Sequence, residues 1–246
     1  MKYKLNSKYQ NLYNFLIDIR ILFAKNNNTI HKARNELKII QYDKLETVVK
    51  AFKIPNFINQ FVYSYIRDSK AKKSYFNAIK LEKLGINTPE PIAYIEFFKF
   101  CLLKESFFVT KKLDYQFSIR EPLRDKHFQQ REQILKSFVS FTYDLHCKNV
   151  YHKDYSPGNI LVIKKDDKFE FSIVDINRME FRTVDAELGL NNFSKLWLDK
   201  DTLVFIAKEY AKLASVNELQ AIEILQKSDK KLKDFVKMKR KIRARD

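Results

Sequence analysis

Apolar residues recur at helical spacing near the start of the sequence. They are Leu12, Phe15, Leu16, Ile19 and Phe23. Their intervals of three and four predict one helix over residues 9–24. The run Asn26–Asn28 then predicts a turn, because asparagine tolerates left-handed backbone conformations better than other non-glycine residues. Two strands are predicted beyond it, over residues 29–40 and 45–53, with a polar turn at residues 41–44 and Pro55 after the second strand.

The pattern becomes helical again over residues 69–84. Ser69 is a candidate N-cap, and Gly85 is a candidate C-terminal stop. Pro89 and Pro91 then precede two further strands, predicted around residues 92–98 and 107–110. The predicted order is therefore strand, strand, helix, strand, strand.

The second half of the chain is mostly helical in pattern, with one exception. An apolar stripe that includes Ile134, Phe138, Phe141 and Leu145 predicts a helix over residues 126–147. Residues 160–163 and 169–174 read as two strands around a charged turn at residues 164–168. The sequence after about residue 196 is again mostly helical. The change of pattern near residues 112–115 predicts a lobe boundary, with lobes at 1–112 and 113–246.

Composition excludes several classes of protein. The 246 residues are 45% hydrophobic and 14% aromatic, which is too apolar for a disordered chain. The three glycines, Gly85, Gly158 and Gly189, lie too far apart for a Rossmann fingerprint, a Walker P-loop or a nucleophile elbow. The two cysteines cannot make a cysteine-based zinc site or a disulfide scaffold, which fits a reducing compartment.

The formal net charge of +17 indicates an anionic partner. Nucleic acid, a phosphorylated substrate and an acidic membrane face all remain open, as does a codon bias that merely adds solvated lysines. No apolar run approaches the ~18 residues that span a bilayer, and Asp18 and Arg20 interrupt the only stretch that resembles a signal peptide. We therefore expect a cytoplasmic protein that can lie against a membrane.

The segment from residue 227 to residue 246 is strongly basic and carries a candidate apolar face. That face comprises Leu232, Phe235, Val236 and Ile242. A basic amphipathic helix can lie on anionic lipid, or it can pack on its own domain with a solvated basic face. The sequence leaves both interpretations open.

The segment from residue 151 to residue 176 carries the candidate chemistry. His152, Asp154 and Asn159 have the spacing of a protein-kinase-type catalytic loop. Asn159 directly precedes the first strand of the predicted hairpin, and Asp175 follows the second. Because the two lie about equally far from the turn, we expect their side-chain oxygens to meet at the open end of the hairpin.

Such a pair of oxygens suits Mg²⁺ bound to a nucleotide, since this ion is usually held by one or two protein groups together with phosphates. Asp154 would lie beside the metal ion and accept the proton of an attacking hydroxyl. His152 is expected to be a packed structural residue of the loop. The alternative is a surface turn whose Asp and Asn cap local backbone.

A kinase also needs a lysine on a strand of its first lobe to hold the α- and β-phosphates of ATP. Lys50 and Lys53 are the candidates, and they project to opposite faces because they are three residues apart. Lys50 has Val48 and Phe52 on its own face, which favours it over Lys53. The alternative is a lysine that faces solvent near a strand end.

These residues resemble the lipopolysaccharide core sugar kinases, the Kdo kinase and heptose kinase (WaaP-like) family, which is related to protein kinases. The similar stretches are ARNELK, VVKAFKIPNFIN, SKAKKSYFNAIKLEKLGINTPEPIAYIE, LHCKNVYHKDYSPGNIL and VDINRM, within residues 33–179. The resemblance implies an α+β, bilobal, protein-kinase-like fold with a small β-rich N-lobe, a mostly helical C-lobe and a catalytic β-hairpin. It also implies Asp154 as catalytic base, Asn159 and Asp175 as metal ligands, and Lys50 as the ATP-phosphate lysine.

The resemblance further implies ATP-dependent phosphorylation of a sugar hydroxyl, with ATP and Mg²⁺ as cofactors. The acceptor would be Kdo or heptose of the lipopolysaccharide inner-core precursor, at the inner face of the inner membrane of a Gram-negative bacterium. Two departures stand out. The helix over residues 69–84 has Glu82 only near its end, so Lys50 is expected to lack the usual helix acid, and asparagines replace a glycine in the first loop.

Three other functions remain open from the sequence. A phosphotransferase of the aminoglycoside or choline kinase type would use the same catalytic spacing. A non-enzymatic basic nucleic-acid-binding protein fits the charge, but the sequence argues against it because no nucleic-acid-binding signature accompanies that charge. A pseudokinase would have the fold without the reaction.

Overall fold

The computed structural model describes residues 1–32, 35–53 and 67–243, and the chain divides into two compact units. Unit 1 comprises Met1–Asp114 and Asp175–Asn177, and unit 2 comprises Tyr115–Val174 and Arg178–Asp246. The first boundary between the units, after Asp114, thus lies two residues beyond the predicted lobe boundary after residue 112. The roles assigned to the two lobes stay predictions. Pro55, residues 33–34 and 54–59 of the family-like stretches, and residues 244–246 lie outside the described part of the chain.

The described residues of unit 1 form one antiparallel sheet of six strands. The strands are β1 (Lys2–Leu5), β2 (Thr29–Lys32), β3 (Asn35–Tyr42), β4 (Leu45–Phe52), β5 (Pro91–Lys99) and β6 (Leu102–Lys111), in the spatial order β1-β5-β6-β4-β3-β2. Among its described residues the helices are α1 (Tyr13–Ile17), α2 (Ile19–Lys25) and α3 (Lys70–Lys83). A 3-10 turn, Ser7–Leu12, precedes α1.

The apolar stripe of the N-terminal segment packs on the sheet. Its five residues form one core cluster with strand residues that include Val49, Ile95 and Val109. Side chains alternate between the two faces of a strand. Lys50, the residue after Val49, therefore projects from the other face of β4.

Helix α3 begins and ends where the sequence predicts. The Ser69 hydroxyl accepts a hydrogen bond from the backbone N–H of Lys72 at 3.1 Å, as an N-cap does. Gly85 follows with φ of +66°, the left-handed conformation that commonly ends a helix. Tyr75 packs against Tyr94 of β5 with ring centroids 5.5 Å apart, which holds α3 on the sheet.

Two predictions for the N-terminal segment are wrong. The single helix over residues 9–24 is three short pieces. The first is the 3-10 turn Ser7–Leu12, which contains the non-helical Tyr9 (φ −124°), and α1 and α2 follow, separated by a break at Asp18 (ψ 3°). The single strand over residues 29–40 is two strands, β2 and β3, that pair antiparallel with Thr29 opposite Lys38. Strand β1, which pairs with β5, was not predicted.

Unit 2 combines helices with two small sheets. Its helices are α4 (Arg120–Arg124), α5 (Arg131–Cys147), α6 (Ala186–Phe193), α7 (Lys200–Ala214) and α8 (Glu218–Arg243). Its strands are β7 (Phe117–Ser118), β8 (Val150–His152), β9 (Ile160–Lys165), β10 (Lys168–Ile173) and β11 (Met179–Phe181). The sheets have the orders β10-β9-β7 and β11-β8. Turns of 3-10 helix occur at Pro157–Asn159, Ile176–Arg178 and Ser194–Leu196. In the second of these turns, the first two residues belong to unit 1 and Arg178 belongs to unit 2.

The predicted hairpin is confirmed: its first strand is two residues longer than predicted, and its second strand has the predicted length but begins and ends one residue earlier. Ile160 pairs with Ile173 and Lys165 pairs with Lys168, so the turn is reduced to two residues, Asp166 and Asp167. The helix predicted from residue 126 begins instead at Arg131. Gln130 has φ of +58°, a conformation that cannot continue a right-handed helix.

Helix α8 is one continuous helix, and its two halves differ in burial. Ala221, Leu225 and Asp229 are buried, and Lys233 donates a hydrogen bond to the Leu198 carbonyl at 3.1 Å. Beyond Lys233 most of its described side chains are exposed. Among the described residues, no helix is both long and apolar enough to cross a bilayer.

Candidate active site

His152 fixes the backbone of the predicted catalytic loop. It lies at the end of β8 and is only 1% exposed. The backbone N–H of Asp154 donates to His152 Nδ1 at 3.0 Å, so the ring proton is on Nε2, which donates to the Val174 carbonyl at 3.0 Å. A neutral His152 thus connects the start of the loop to the end of the hairpin strand β10.

The loop itself is closed by hydrogen bonds to the backbone of Asp154. Asn159 Nδ2 and the Ser156 N–H both donate to the Asp154 carbonyl, at 2.8 Å and 2.7 Å. The Val174 N–H donates to the Asn159 carbonyl at 2.9 Å. With its backbone held in this way, Asp154 keeps a carboxylate that is 46% exposed.

Tyr155 anchors the loop in the core of unit 2. Its side chain is fully buried, stacks on Phe138 at 6.0 Å and shares a hydrogen bond of 2.7 Å with the Thr142 hydroxyl. Burial raises the pKa of its phenol well above the usual range. Sequence reasoning missed this role. The signal that the sequence offered was a large aromatic residue directly after Asp154, which favours burial at that position.

Asp175 lies in unit 1 and is held by two donors. Lys50 Nζ and Asn177 Nδ2 each lie 2.6 Å from Asp175 Oδ1. The next residue, Ile176, accepts a hydrogen bond of 2.7 Å from Asn77 Nδ2 of α3. Asp175 has φ of +56°, a conformation that costs a non-glycine residue free energy and needs such support.

The two candidate lysines have different surroundings. Lys50 binds Asp175 and is 14% exposed, and its ammonium lies 5.4 Å from the centre of the Phe52 ring. Lys53 lines a separate cavity of about 430 Å³ that also includes Glu36 and Glu105. In the part of the chain that the structure describes, the carboxylate paired with Lys50 belongs to Asp175, and Glu82 does not pair with it.

The predicted site residues thus form two groups, each within one unit. Lys50 and Asp175 meet in unit 1, and His152, Asp154 and Asn159 meet in unit 2. Among the described residues there is no group of three or more His, Cys, Asp or Glu side chains arranged to hold a metal ion. Amide and carboxylate oxygens, the groups that Asn159 and Asp175 carry, are ligand types that Mg²⁺ accepts when phosphates supply further oxygens.

Asn77, Asn177, Arg178 and Lys195 were not singled out from the sequence. The contact between Asn77 and Ile176 joins residues 99 positions apart, and Lys195 donates to the Lys153 carbonyl across 42 positions. No local periodicity or spacing reports contacts of this kind.

Comparison with solved structures identifies the fold. The structure of WaaP in complex with acyl carrier protein is similar to this chain with a TM-score of 0.64 at 16% identity, and the match covers 94% of this chain and 99% of that one. A mutant PknI kinase domain from Mycobacterium tuberculosis matches with a TM-score of 0.41 at 13% identity, over 78% of this chain and 76% of that one. The predicted α+β, protein-kinase-like fold is confirmed.

Comparison at the level of sequence identifies the family. No curated protein sequence matches the chain at a significant level. The model of the lipopolysaccharide kinase (Kdo/WaaP) family matches residues 58–227, which include Asp154, Asn159 and Asp175. The chain belongs to the lipopolysaccharide kinase (Kdo/WaaP) family and is a phosphotransferase.

Proposed function

We propose that the chain catalyses ATP-dependent phosphorylation of a sugar hydroxyl, on Kdo or heptose of the lipopolysaccharide inner core. The observation that carries this proposal is the loop from His152 to Asn159. Two buried side chains, His152 and Tyr155, fix its backbone, while the carboxylate of Asp154 remains exposed. A rigid loop that presents one accessible carboxylate is what positioning of an acceptor hydroxyl requires.

Asp154 is the proposed catalytic base. Its carboxylate accepts the proton of the acceptor hydroxyl as that oxygen bonds to the γ-phosphorus of ATP, while the bond to the β,γ-bridging oxygen breaks and ADP leaves. His152 positions it, because the neutral ring uses both nitrogens for backbone contacts and presents neither of them to the acceptor hydroxyl. The division of labour is that of phosphoryl transfer in general, in which one carboxylate orients the nucleophile and other groups neutralise the phosphates.

Asn159 and Asp175 are the proposed ligands of Mg²⁺. Asn159 uses its amide nitrogen on the Asp154 carbonyl, so its oxygen, Oδ1, is the proposed ligand atom. The metal ion, when bound, neutralises charge on the phosphate oxygens. Lys50 is the proposed partner of the α- and β-phosphates, and its contact with Asp175 keeps its ammonium near that carboxylate until ATP binds.

The proposed acceptor is a lipid-anchored polyanion, which supports a peripheral location at the inner face of the inner membrane. A chain of net charge +17 is attracted to such a surface. The exposed distal half of α8, rich in lysine, is the proposed contact.

The direct test is incubation of the whole chain with labelled ATP, Mg²⁺ and purified lipid A that carries core sugars, read by mass spectrometry. We expect one phosphate to be added to a core sugar. Asp154→Asn and Asp175→Asn should each lower turnover at least ~100-fold, since each removes a charge that phosphoryl transfer uses. Thermal denaturation should show that both variants fold.

Asp166→Asn is the matched control. Asp166 is exposed in the turn of the catalytic hairpin, and its φ of +50° suits asparagine, so this variant should retain wild-type turnover. Wild-type turnover in Asp154→Asn would remove the mechanism. Phosphorylation of choline or an aminoglycoside in place of the glycolipid would favour the soluble-acceptor alternative, and absence of ATP–Mg²⁺ binding in a thermal-shift assay would favour a pseudokinase.

A further inference from the structure

Two cationic side chains of unit 2, those of Arg178 and Lys195, lie near the exposed carboxylate of Asp154, and a third cation, Lys153, is its neighbour in the sequence. Arg178 Nη1 lies 3.4 Å from Asp154 Oδ2, and the Arg178 carbonyl accepts a hydrogen bond of 3.3 Å from the Lys153 N–H. Lys195 Nζ donates to the Lys153 carbonyl. The catalytic loop, the β8–β11 sheet and the turn Ser194–Leu196 thus bring Lys153, Arg178 and Lys195 to one place.

Lys195 is held there at an energetic cost. It is half-buried between two buried residues of its turn, and its ammonium lies 5.8 Å from the centre of the Tyr151 ring. Burial lowers the pKa of Lys195, and the nearby charges of Lys153 and Arg178 lower it further, against the opposing effect of Asp154 and Glu180. An anion bound at this position would relieve both penalties.

The carboxylates near Lys153, Arg178 and Lys195 do not neutralise all of their positive charge. Glu180 lies 2.5 Å from Lys153 Nζ and 3.9 Å from Arg182 Nε, so it is already shared. Among the described residues, no carboxylate lies within ion-pairing distance of Lys195. The contact between Arg178 and Asp154 is long, and the two side chains are 64% and 46% exposed, so it holds neither in place strongly.

We propose that Lys195, Arg178 and Lys153 form an anion-binding subsite that receives an acidic group of the acceptor sugar beside Asp154. The proposal rests on the proposed function, because it is the role of Asp154 that makes this subsite part of an acceptor site. A carboxylate or a phosphate within a few ångströms of the reacting hydroxyl fits it. Of the two sugars proposed above, Kdo carries a carboxylate and unsubstituted heptose carries no charge, so the subsite favours Kdo.

The bound acidic group does two things at this site. It takes the donors of Arg178 away from Asp154, which leaves the carboxylate to accept the hydroxyl proton. It also fixes the sugar through charge-assisted hydrogen bonds, which are directional and set the hydroxyl in register with Asp154. The three cations bind and position the acceptor, and no bond to the transferred phosphate is assigned to them.

The test compares Lys195→Gln and Arg178→Gln with the wild type, using purified lipid A that carries Kdo as acceptor at saturating ATP. We expect the KM for the acceptor to rise about tenfold or more, as loss of one charged hydrogen bond implies. The KM for ATP should change less than twofold. Lys195→Arg should restore most of the acceptor affinity, and thermal denaturation should show that Lys195→Gln is no less stable than the wild type.

Lys168→Gln is the matched control, since it removes the same charge from an exposed position at the turn of the catalytic hairpin in the same unit. It should leave both KM values unchanged. The methyl ester of the Kdo carboxylate provides a second control on the ligand. The ester should reduce kcat/KM about tenfold in the wild type and less than twofold in Lys195→Gln, because that variant has already lost the contact.

An unchanged acceptor KM in both variants would overturn the subsite, and so would an increase confined to the KM for ATP, which would assign the cations to the nucleotide. A binding titration of the same lipid in detergent micelles, by calorimetry and without ATP, separates the subsite from the proposed function. If no phosphate is transferred but Lys195→Gln still binds the lipid tenfold more weakly than Lys168→Gln, the subsite stands and the proposed function fails. Equal binding by the two variants overturns the subsite.

Discussion

His146 is buried in unit 2, and each of its two ring nitrogens has a hydrogen-bond partner. Its Nδ1 shares a hydrogen bond of 2.8 Å with the Tyr210 hydroxyl, and its Nε2 lies 3.3 Å from Asn192 Oδ1. Asn192 in turn donates to the His152 carbonyl at 3.0 Å, which connects His146 to the catalytic loop. Burial lowers the pKa of His146 to about 4, because the interior disfavours the charged ring.

This pKa makes stability depend on pH. The unfolded chain binds a proton at His146 below pH ~6.5, whereas the folded chain does so only near its lowered pKa, so folding free energy is lost as pH falls between those values. Between pH 7 and pH 5 we expect His146 to contribute a decrease of about 2 kcal/mol in the free energy of unfolding. Urea titrations at the two pH values measure it.

His146→Gln provides the comparison, because glutamine does not titrate. Its free energy of unfolding should be lower at pH 7 but should fall by about 2 kcal/mol less than that of the wild type on going to pH 5. Equal pH dependence in the two proteins would mean that His146 is not the group responsible.

At the scale of single residues, the sequence predicts site residues that lie close together along the chain, and it does not predict contacts between distant positions. The spacing of His152, Asp154 and Asn159 is a local pattern, and the structure shows these residues hydrogen-bonded within one loop. Lys50 was selected by strand alternation, and it contacts Asp175 across 125 positions. Nothing local marked Lys195, which comes near Asp154 only because α6 and the turn after it fold back on the loop.

At the scale of elements, predictions succeeded where local signals agreed with the tertiary fold. Helix α3 has a cap at Ser69 and a stop at Gly85, and the hairpin has one continuously apolar strand segment and one alternating strand around a charged turn. The N-terminal segment failed because periodicity reports which face is apolar and does not report breaks. Each short helical piece keeps its apolar residues on the sheet, so the pattern looks continuous across Asp18.

The packing of α6 against α5 and α7 depends on the missing side chain of Gly189. A Cβ at this position would meet the Tyr210 hydroxyl at less than contact distance and His146 Nδ1 at 2.8 Å. Both rings are buried and hydrogen-bonded to each other, so neither can move away without losing that bond or its packing. We expect Gly189→Ala to lower the free energy of unfolding by about 1–3 kcal/mol, the usual cost of overpacking, as measured by urea titration.

Gly158→Ala is the contrasting variant. Its Cβ would meet the guanidinium of Arg120, which is the far end of a flexible side chain. Arg120 can turn aside, so we expect a loss of less than ~0.5 kcal/mol. A larger loss for Gly158→Ala than for Gly189→Ala would contradict this account of the packing.

At the scale of the whole molecule, the charge of +17 is unevenly placed. Residues 230–241 contain seven lysine or arginine residues and one aspartate. Along the same stretch of α8, Phe235, Met238 and Ile242 are 47%, 53% and 54% exposed, at spacings of three and four. Exposed apolar residues at helical spacing among lysines are typical of a helix that lies on anionic lipid.

The structure also indicates where this surface begins. Asp229 is 8% exposed and pairs with Lys233 at 2.6 Å, and Lys233 binds the Leu198 carbonyl, so α8 is packed on unit 2 as far as Lys233. A truncation after Ser228 would remove these contacts together with the candidate lipid-binding surface. A truncation after Asp234 would remove the surface alone.

We therefore predict that truncation after Asp234 lowers partitioning onto liposomes rich in phosphatidylglycerol at least ~10-fold, since each lysine near an anionic surface contributes about 1 kcal/mol. Replacing Phe235, Met238 and Ile242 by serine should lower partitioning while leaving its salt dependence intact, because the lysines remain. Leu219→Ser is the control, as Leu219 is 76% exposed at the opposite end of α8 and should not affect binding. Unchanged flotation of the truncated chain with these liposomes at physiological salt would mean that α8 does not hold the enzyme at the membrane, and that the attraction must come from the bound acceptor itself.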